Sequence, residues 1–152
     1  MSAAKSKYNN KKVEVDGFTF DSKAELLYYQ NLKALQEREG ILFFRLQPRY
    51  LLQEAFKKNG KNHRKIEYVA DFEIHHTNGT IEVVDIKGFE TTDFNIKKKL
   101  FEWRYPHNLT ILSFSQIDGG FIELDKLKKA RSARKKAKSL KGKREHETIT
   151  TR

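Results

Sequence analysis

The 152-residue chain contains no cysteine, which excludes a disulfide scaffold, a thiolate zinc site and a cysteine nucleophile. Proline is nearly absent, with two in the whole chain, so Pro48 and Pro106 each mark a place where regular structure is interrupted. No apolar run approaches the ~20 residues that span a bilayer. The start, Met1-Ser2-Ala3-Ala4-Lys5-Ser6-Lys7, lacks the apolar stretch of a secretory signal. Acid is missing where base is densest: residues 126–144 hold eleven Lys/Arg and neither Asp nor Glu. What the chain does have is a hydrophobic fraction of 38% with eleven Phe and six Tyr, enough for a core, so a wholly disordered chain is excluded. These features read as a soluble cytoplasmic protein with one domain over residues 12–125 and a basic helical or disordered tail over 126–152.

The formal charge is +11, and most of it is local. Residues 1–125 hold 19 basic and 18 acidic residues, so the body is close to neutral and the excess lies in the tail. A block of this kind usually meets a polyanion, most often nucleic acid, the alternative being a solvated tail.

Local patterns give an element order. Val13–Phe20 alternates about Asp16-Gly17, a short hairpin signal. Ser22-Lys23-Ala24-Glu25 reads as a capping box that opens a helix. Ala24, Leu27, Tyr28, Leu32 and Leu35 form its apolar stripe, and Gly40 is its stop. Ile41–Gln53 reads as strand bent at Pro48, and residues 54–65 as a polar connection with a turn at Asn59-Gly60. Ile66–His76 and Thr80–Lys87 flank Asn78-Gly79 as a second hairpin. Asp93 is placed to cap a helix with Ile96, Leu100 and Trp103 on one face, closed by Pro106. Leu109–Phe114 is a further strand, and Asp125 begins a lysine-rich helix that fades into a disordered end. The expected core is therefore helix, three strands, helix, strand, with a hairpin in front.

Alternation along Val83-Val84-Asp85-Ile86-Lys87 puts Asp85 and Lys87 on one face of an otherwise apolar strand. Asp71 lies in the paired strand of the same hairpin. Carboxylates brought together repel, and a divalent cation relieves the repulsion while taking oxygen ligands. A lysine beside them can orient water or stabilise charge on a phosphate. Those parts suffice for metal-assisted phosphodiester hydrolysis. Glu73, on the face of Asp71, reads as solvated, and His75-His76 as exposed residues beside a turn.

Asp71, thirteen residues and then Asp85-Ile86-Lys87 resembles the D…(D/E)-x-K signature of the PD-(D/E)XK nuclease superfamily, with Ala70 where the motif's name has proline. Glu25 on the first helix matches the additional metal-binding glutamate of many members. The chain looks most like small phage-encoded endonucleases, including the endonuclease I type of Holliday-junction resolvase, over roughly residues 18–115. The resemblance implies a restriction-endonuclease-like α/β core, a mixed four-stranded sheet flanked by helices in the order α-β-β-β-α-β. It implies an Mg²⁺-dependent endodeoxyribonuclease, with Mn²⁺ able to substitute, in which Glu25, Asp71, Asp85 and Lys87 are catalytic. Glu25, Asp71, Asp85 and the Ile86 carbonyl would hold the metal. Phosphate contacts are expected from Lys57, Lys58, Lys61, Arg64 and Lys65, from Lys97, Lys98 and Lys99, and from Arg131, Arg134, Lys135 and Lys136. The implied partner is branched DNA cut by a homodimer in a cytoplasm, the host's if the chain is phage-encoded, without membrane or small-molecule cofactor. The alternatives are a nucleic-acid-binding protein that keeps the fold without catalysis, or a nuclease acting on linear duplex.

Overall fold

In the computed structural model residues 11–150 are described, with side chains to residue 144. The polar start at Met1–Lys7 and the side chains at the end of the basic tail lie outside the described residues. Among the described residues the fold is mixed α/β with three helices and a multi-stranded mixed sheet. Two compact units form, Met1–Ile86 with Glu90–Thr110, and Lys87–Phe89 with Ile111–Arg152. No helix among the described residues is long and apolar enough to cross a membrane.

The first unit opens with the expected hairpin, β1 (Val13–Val15) and β2 (Phe18–Phe20), in the register Val13 opposite Phe20. Its two loop residues, Asp16 and Gly17, both have positive φ (53° and 78°), the geometry that matches the twist of the flanking strands. Helix α1 (Lys23–Glu37) follows, capped by Ser22, whose side chain accepts from the Glu25 amide. Its buried residues are Glu25, Tyr29 and Leu32, so the stripe is turned from the expected one. Leu27 faces outward, and Glu25 sits at the head of the inward face. Gly40 is not the residue that turns the chain out of the helix. Glu39 takes the left-handed conformation (φ 57°). Gly40 is needed for close approach, since a Cβ there would lie 2.6 Å from Leu35 Cδ1.

The Ile41–Gln53 segment divides into β3 (Phe43–Leu46) and β4 (Arg49–Gln53) about Gln47-Pro48. The Ile66–His76 segment, expected as one strand, also divides, into β7 (Ile66–Val69) and β8 (Phe72–His75) about Ala70-Asp71. Both breaks fall at the same level, so β3 pairs with β8 and β4 with β7 in separate sheets. Proline offers no amide for the ladder. Here Pro48 instead accepts from the Ala70 amide at 3.2 Å, and Gln47 donates to the Asp71 carbonyl at 2.9 Å. Residues 54–65, expected as an irregular connection, form a hairpin of β5 (Phe56–Lys58) and β6 (Lys61–His63), because Asn59 and Gly60 both take positive φ (50° and 73°).

Strand β9 (Ile81–Ile86) pairs antiparallel with β8 across the Asn78-Gly79 turn. Helix α2 (Thr92–Arg104) then carries the chain to β10 (Asn108–Ser115). The α2 cap is Thr91, two residues earlier than the expected Asp93, and its buried residues are Phe94 and Phe101. The expected apolar face is therefore wrong. Ile96 is exposed and Trp103 is 81% exposed. Tyr105 hydroxyl and Arg104 guanidinium donate to the Leu51 and Leu52 carbonyls (2.8 and 3.1 Å), holding the C-terminal end of α2 on β4.

In the second unit β10 pairs antiparallel with β11 (Gly120–Glu123), a strand not foreseen from the sequence, in the register Ser115 opposite Gly120. Helix α3 runs from Leu124 to Thr150, so the boundary at residue 126 falls inside its first turn. Leu124 and Leu127 are almost wholly buried (1% and 0% exposed), whereas residues 135–144 are exposed on every side. Arg134 closes the docked part with a two-pronged contact to Asp118 (2.7 and 3.1 Å), which holds the Asp118 carboxyl down at about 2.

Candidate metal centre

Three carboxylates from separate elements of the first unit act on one another. Asp85, on β9, is 2% exposed and accepts from the Tyr68 hydroxyl of β7 at 2.5 Å. Asp71 does not lie in a regular strand as expected. It occupies the break before β8, where its amide donates to the Val84 carbonyl at 3.2 Å and its Oδ2 accepts from the Ile86 amide at 2.7 Å. That turn, which buries Ala70 (1% exposed), directs the Asp71 carboxyl at the Ile86 amide of β9, within range of the Asp85 charge. Burial, then repulsion from Asp85 and Glu25, pushes Asp71 up to about 8.

Glu25 reaches the cluster from α1. It is 9% exposed, and its Oε2 accepts from the Asp21 amide at 3.1 Å while its own amide donates to Ser22 Oγ at 3.1 Å. The capping bond therefore goes one residue outside the cap rather than to the Ser22 amide. Burial raises the Glu25 carboxyl above its ordinary value against that Asp21 bond, and the charges of Asp21 and Asp85 add to the rise. Glu25 and Asp71 line one side of a cavity of about 40 Å³ walled by Phe18, Phe20, Leu46 and Phe72, room for a small ion and a water.

The donor set is all carboxylate oxygen, which suits a hard dication such as Mg²⁺ or Mn²⁺ and not a thiophilic metal. Among the described residues no three such groups already form a ligand cage. Their oxygens are instead held by Tyr68, Ile86 and Asp21. The residues fit an ion chemically, because a dication among Asp71, Asp85 and Glu25 would offset the repulsion that, after burial, raises Asp71 and Glu25.

The other expected residues distribute as follows. Lys87, half-buried, begins the second unit, and its amide donates to the Leu112 carbonyl at 2.8 Å. For Ile86 the bonded group seen here is the amide. Lys57, Lys58, Lys61, Arg64 and Lys65 ride on or beside the exposed β5–β6 hairpin, with Lys65 paired to Glu67 at 2.9 Å. Lys98 pairs with Glu90 at 3.6 Å and Lys97 with Asp93 at 3.9 Å, and Lys99 is exposed. Arg131, Lys135 and Lys136 are exposed on α3, whereas Arg134 is committed to Asp118.

Tyr68 was not foreseen as part of the site, although it stands three residues before Asp71 in an alternating strand. Glu73 was read as solvated, but it is buried (8% exposed) and bonded to the Tyr50 hydroxyl at 2.5 Å and His75 Nε2 at 2.7 Å. Burial opposes its ionisation, yet those bonds prevail and hold its carboxyl below the ordinary value.

Taken by fold and site, this is a mixed α/β protein with a largely buried, mutually repelling carboxylate cluster. Residues 5–116 match the family described as protein of unknown function (DUF1064). The chain belongs to that family. No curated protein matches it.

Proposed function

We propose that this protein is a divalent-cation-dependent DNA endonuclease with a restriction-endonuclease-like core, acting on branched DNA as a homodimer with one site per strand. The observation that carries this reading is the meeting at β9 of two carboxylates, the buried Asp85 (2% exposed) and the half-buried Asp71 bonded to the Ile86 amide, with Glu25 raising the charge density beside them. Burying like charges is costly unless something uses them. Asp71 and Asp85, with Glu25 and the Ile86 carbonyl, would hold Mg²⁺ or Mn²⁺. The bound ion supplies charge to activate a water and to offset charge on the phosphate. Tyr68 fixes the orientation of Asp85, and the Ile86 amide fixes that of Asp71. By the acid-x-Lys spacing, Lys87 would orient the attacking water or stabilise the developing phosphate charge. Exposed lysines of β5–β6 and α3 supply affinity for the backbone without sequence choice.

A second reading, a non-catalytic nucleic-acid-binding protein, is favoured by one observation: Tyr68 already satisfies one Asp85 oxygen. A single gel assay separates the two, with matched four-way junction, linear duplex and single strand in Mg²⁺, Mn²⁺, Ca²⁺ or EDTA. Cutting of the junction in Mg²⁺ or Mn²⁺ but not in Ca²⁺ or EDTA supports the nuclease. Binding without cutting under every metal supports the second reading.

Glu25→Gln tests the helix-borne carboxylate. The amide oxygen still accepts from Asp21, so the melting temperature should stay within a few degrees of wild type. Cleavage at limiting Mg²⁺ should fall by roughly tenfold or more and partly return at high Mn²⁺, since a neutral oxygen binds a dication poorly. Full activity at limiting Mg²⁺ would reduce Glu25 to a helix cap.

Two truncations test the role of α3. Ending the chain at Arg134 keeps Leu124, Leu127 and the Asp118 contact, so the protein should remain folded. It removes Lys135, Lys136, Lys138, Lys141, Lys143, Arg144 and Arg152. The log–log salt slope of DNA binding should then fall by up to about 6, at ~0.9 per phosphate contact. An unchanged slope would show that the projecting part does not touch DNA. Ending at Asp125 removes Leu127 and should destabilise the second unit by roughly 2–5 kcal/mol.

A further inference from the structure

We propose that the β5–β6 hairpin is a clamp for unpaired DNA, stacking a base on the Phe56–His63 pair while Lys58 and Lys61 hold the adjoining phosphate. This rests on the reading of DNA as the partner and narrows it to the unpaired part of a branched substrate. The hairpin stands out from the first unit. Every residue from Phe56 to Asn62 is exposed, and His63 only half-buried. Phe56 is 43% exposed and lies flat against His63, with ring centroids 4.5 Å apart and planes 9° from parallel. An aromatic pair parallel in this way and open to solvent offers a face on which any base can stack.

The charges follow the same face. The register sets Phe56 opposite His63 and Lys58 opposite Lys61, and alternation puts all four side chains on one side of the ribbon. The lysine rung lies two residues from the aromatic rung, about 7 Å along the strand, a span that one nucleotide covers from base to phosphate. Like charges directly opposite each other weaken a two-stranded ribbon, and such a ribbon is marginal to begin with. Among the described residues, Lys57, Lys58, Lys61 and Arg64 have no ion-pair partner, so no acid of the fold offsets that rung. An external phosphate does. Duplex DNA keeps its bases stacked on one another and leaves the aromatic pair unused, which is why the occupant is single-stranded.

The test uses the full chain in EDTA, so that binding is read without cutting. The probe is a duplex with a single-stranded tail carrying 2-aminopurine, alongside the blunt duplex. Wild type should quench the 2-aminopurine emission and favour the tailed probe. Phe56→Val keeps a β-branched strand former but removes the ring. It should abolish the quenching and weaken tail binding roughly tenfold or more, with blunt-duplex affinity within twofold of wild type. Phe56→Trp should restore both readouts, which separates stacking from an effect on hairpin folding. Absence of quenching by wild type, or equal losses by Phe56→Val on both probes, would overturn the clamp. The same preparations tested for junction cutting in Mg²⁺ keep the two readings apart. Quenching without cutting removes the nuclease and leaves the clamp; cutting without quenching does the reverse.

Discussion

Asp85→Asn is expected to lose roughly 10³-fold of Mg²⁺-dependent cleavage, ~4 kcal/mol of transition-state stabilisation, while becoming more stable in the absence of metal. Both effects have one cause. The amide keeps the shape of the carboxylate, can still accept from Tyr68, and can donate to Asp71, so no buried hydrogen bond need be lost. What goes is the negative charge, and with it both the attraction for a dication and the repulsion that raises Asp71. Relief of about 1 kcal/mol would raise the melting temperature by roughly 2–4 °C in a chain of this size. A residue with only a structural role would behave in the opposite way, since removing a useful buried charge lowers stability. Cleavage and thermal melts of the same preparation check both halves. Undiminished nicking in Mg²⁺ would sink the catalytic assignment.

Metal-free protein should lose stability as pH rises through the range where Asp71 ionises. Its carboxyl is raised from 3.8 to about 8 in the folded chain. The stabilisation of its neutral form is complete below the unfolded value and is lost as pH climbs through the folded one. Between pH 5.5 and pH 8 the loss is on the order of 3 kcal/mol, at 1.4 per unit, a fall of roughly 6–12 °C in melting temperature. Saturating Mg²⁺ should flatten the dependence, and Asp71→Asn should abolish it. A melting temperature that is level across this range in EDTA would show that Asp71 does not keep its proton into this range.

Those carboxylates were legible in the sequence for chemical reasons, but their placement was legible only in part. Asp85 stood out because alternation in an apolar strand left a charge without a solvent-facing excuse. Glu25 stood out through the capping box, and its burial followed once the helix face turned toward Tyr29 and Leu32. Asp71 was found as a residue and misplaced as an element, because Ile66–His76 reads locally as one strand. The interruption at Ala70 is imposed by Pro48 and Gln47, more than twenty residues away, and no local pattern contains it. The same limit explains α2. Ile96 and Trp103 fit the helical spacing read from the sequence, yet Phe94 and Phe101 win because Tyr50, Tyr68 and Tyr105 offer them rings to pack on. The hairpin at 56–63 shows in the sequence only as its Asn59-Gly60 turn, because the flanking residues are charged and lack the apolar alternation that marks a strand.

The way β4 and β7 meet has a consequence for change in this family. The two strands are already paired from Arg49 opposite Val69 through Gln53 opposite Ile66, so residues 54–65 leave and rejoin the body at adjacent rungs. The hairpin is thus an appendage on a closed ladder. A two-residue turn of the Asn-Gly kind is able to bridge Gln53 and Ile66 in its place, and a longer ribbon or a different tip can be carried there at little loop-closure cost. Asp71, Asp85 and Glu25 take their positions from bonds to Ile86, Tyr68 and Asp21, none of which passes through that segment. The segment that reaches outward and the residues that hold the buried charges are therefore free to vary independently. Relatives with the same three carboxylates and an altered insert between β4 and β7 would be expected to share chemistry and differ in the nucleic-acid shape they engage.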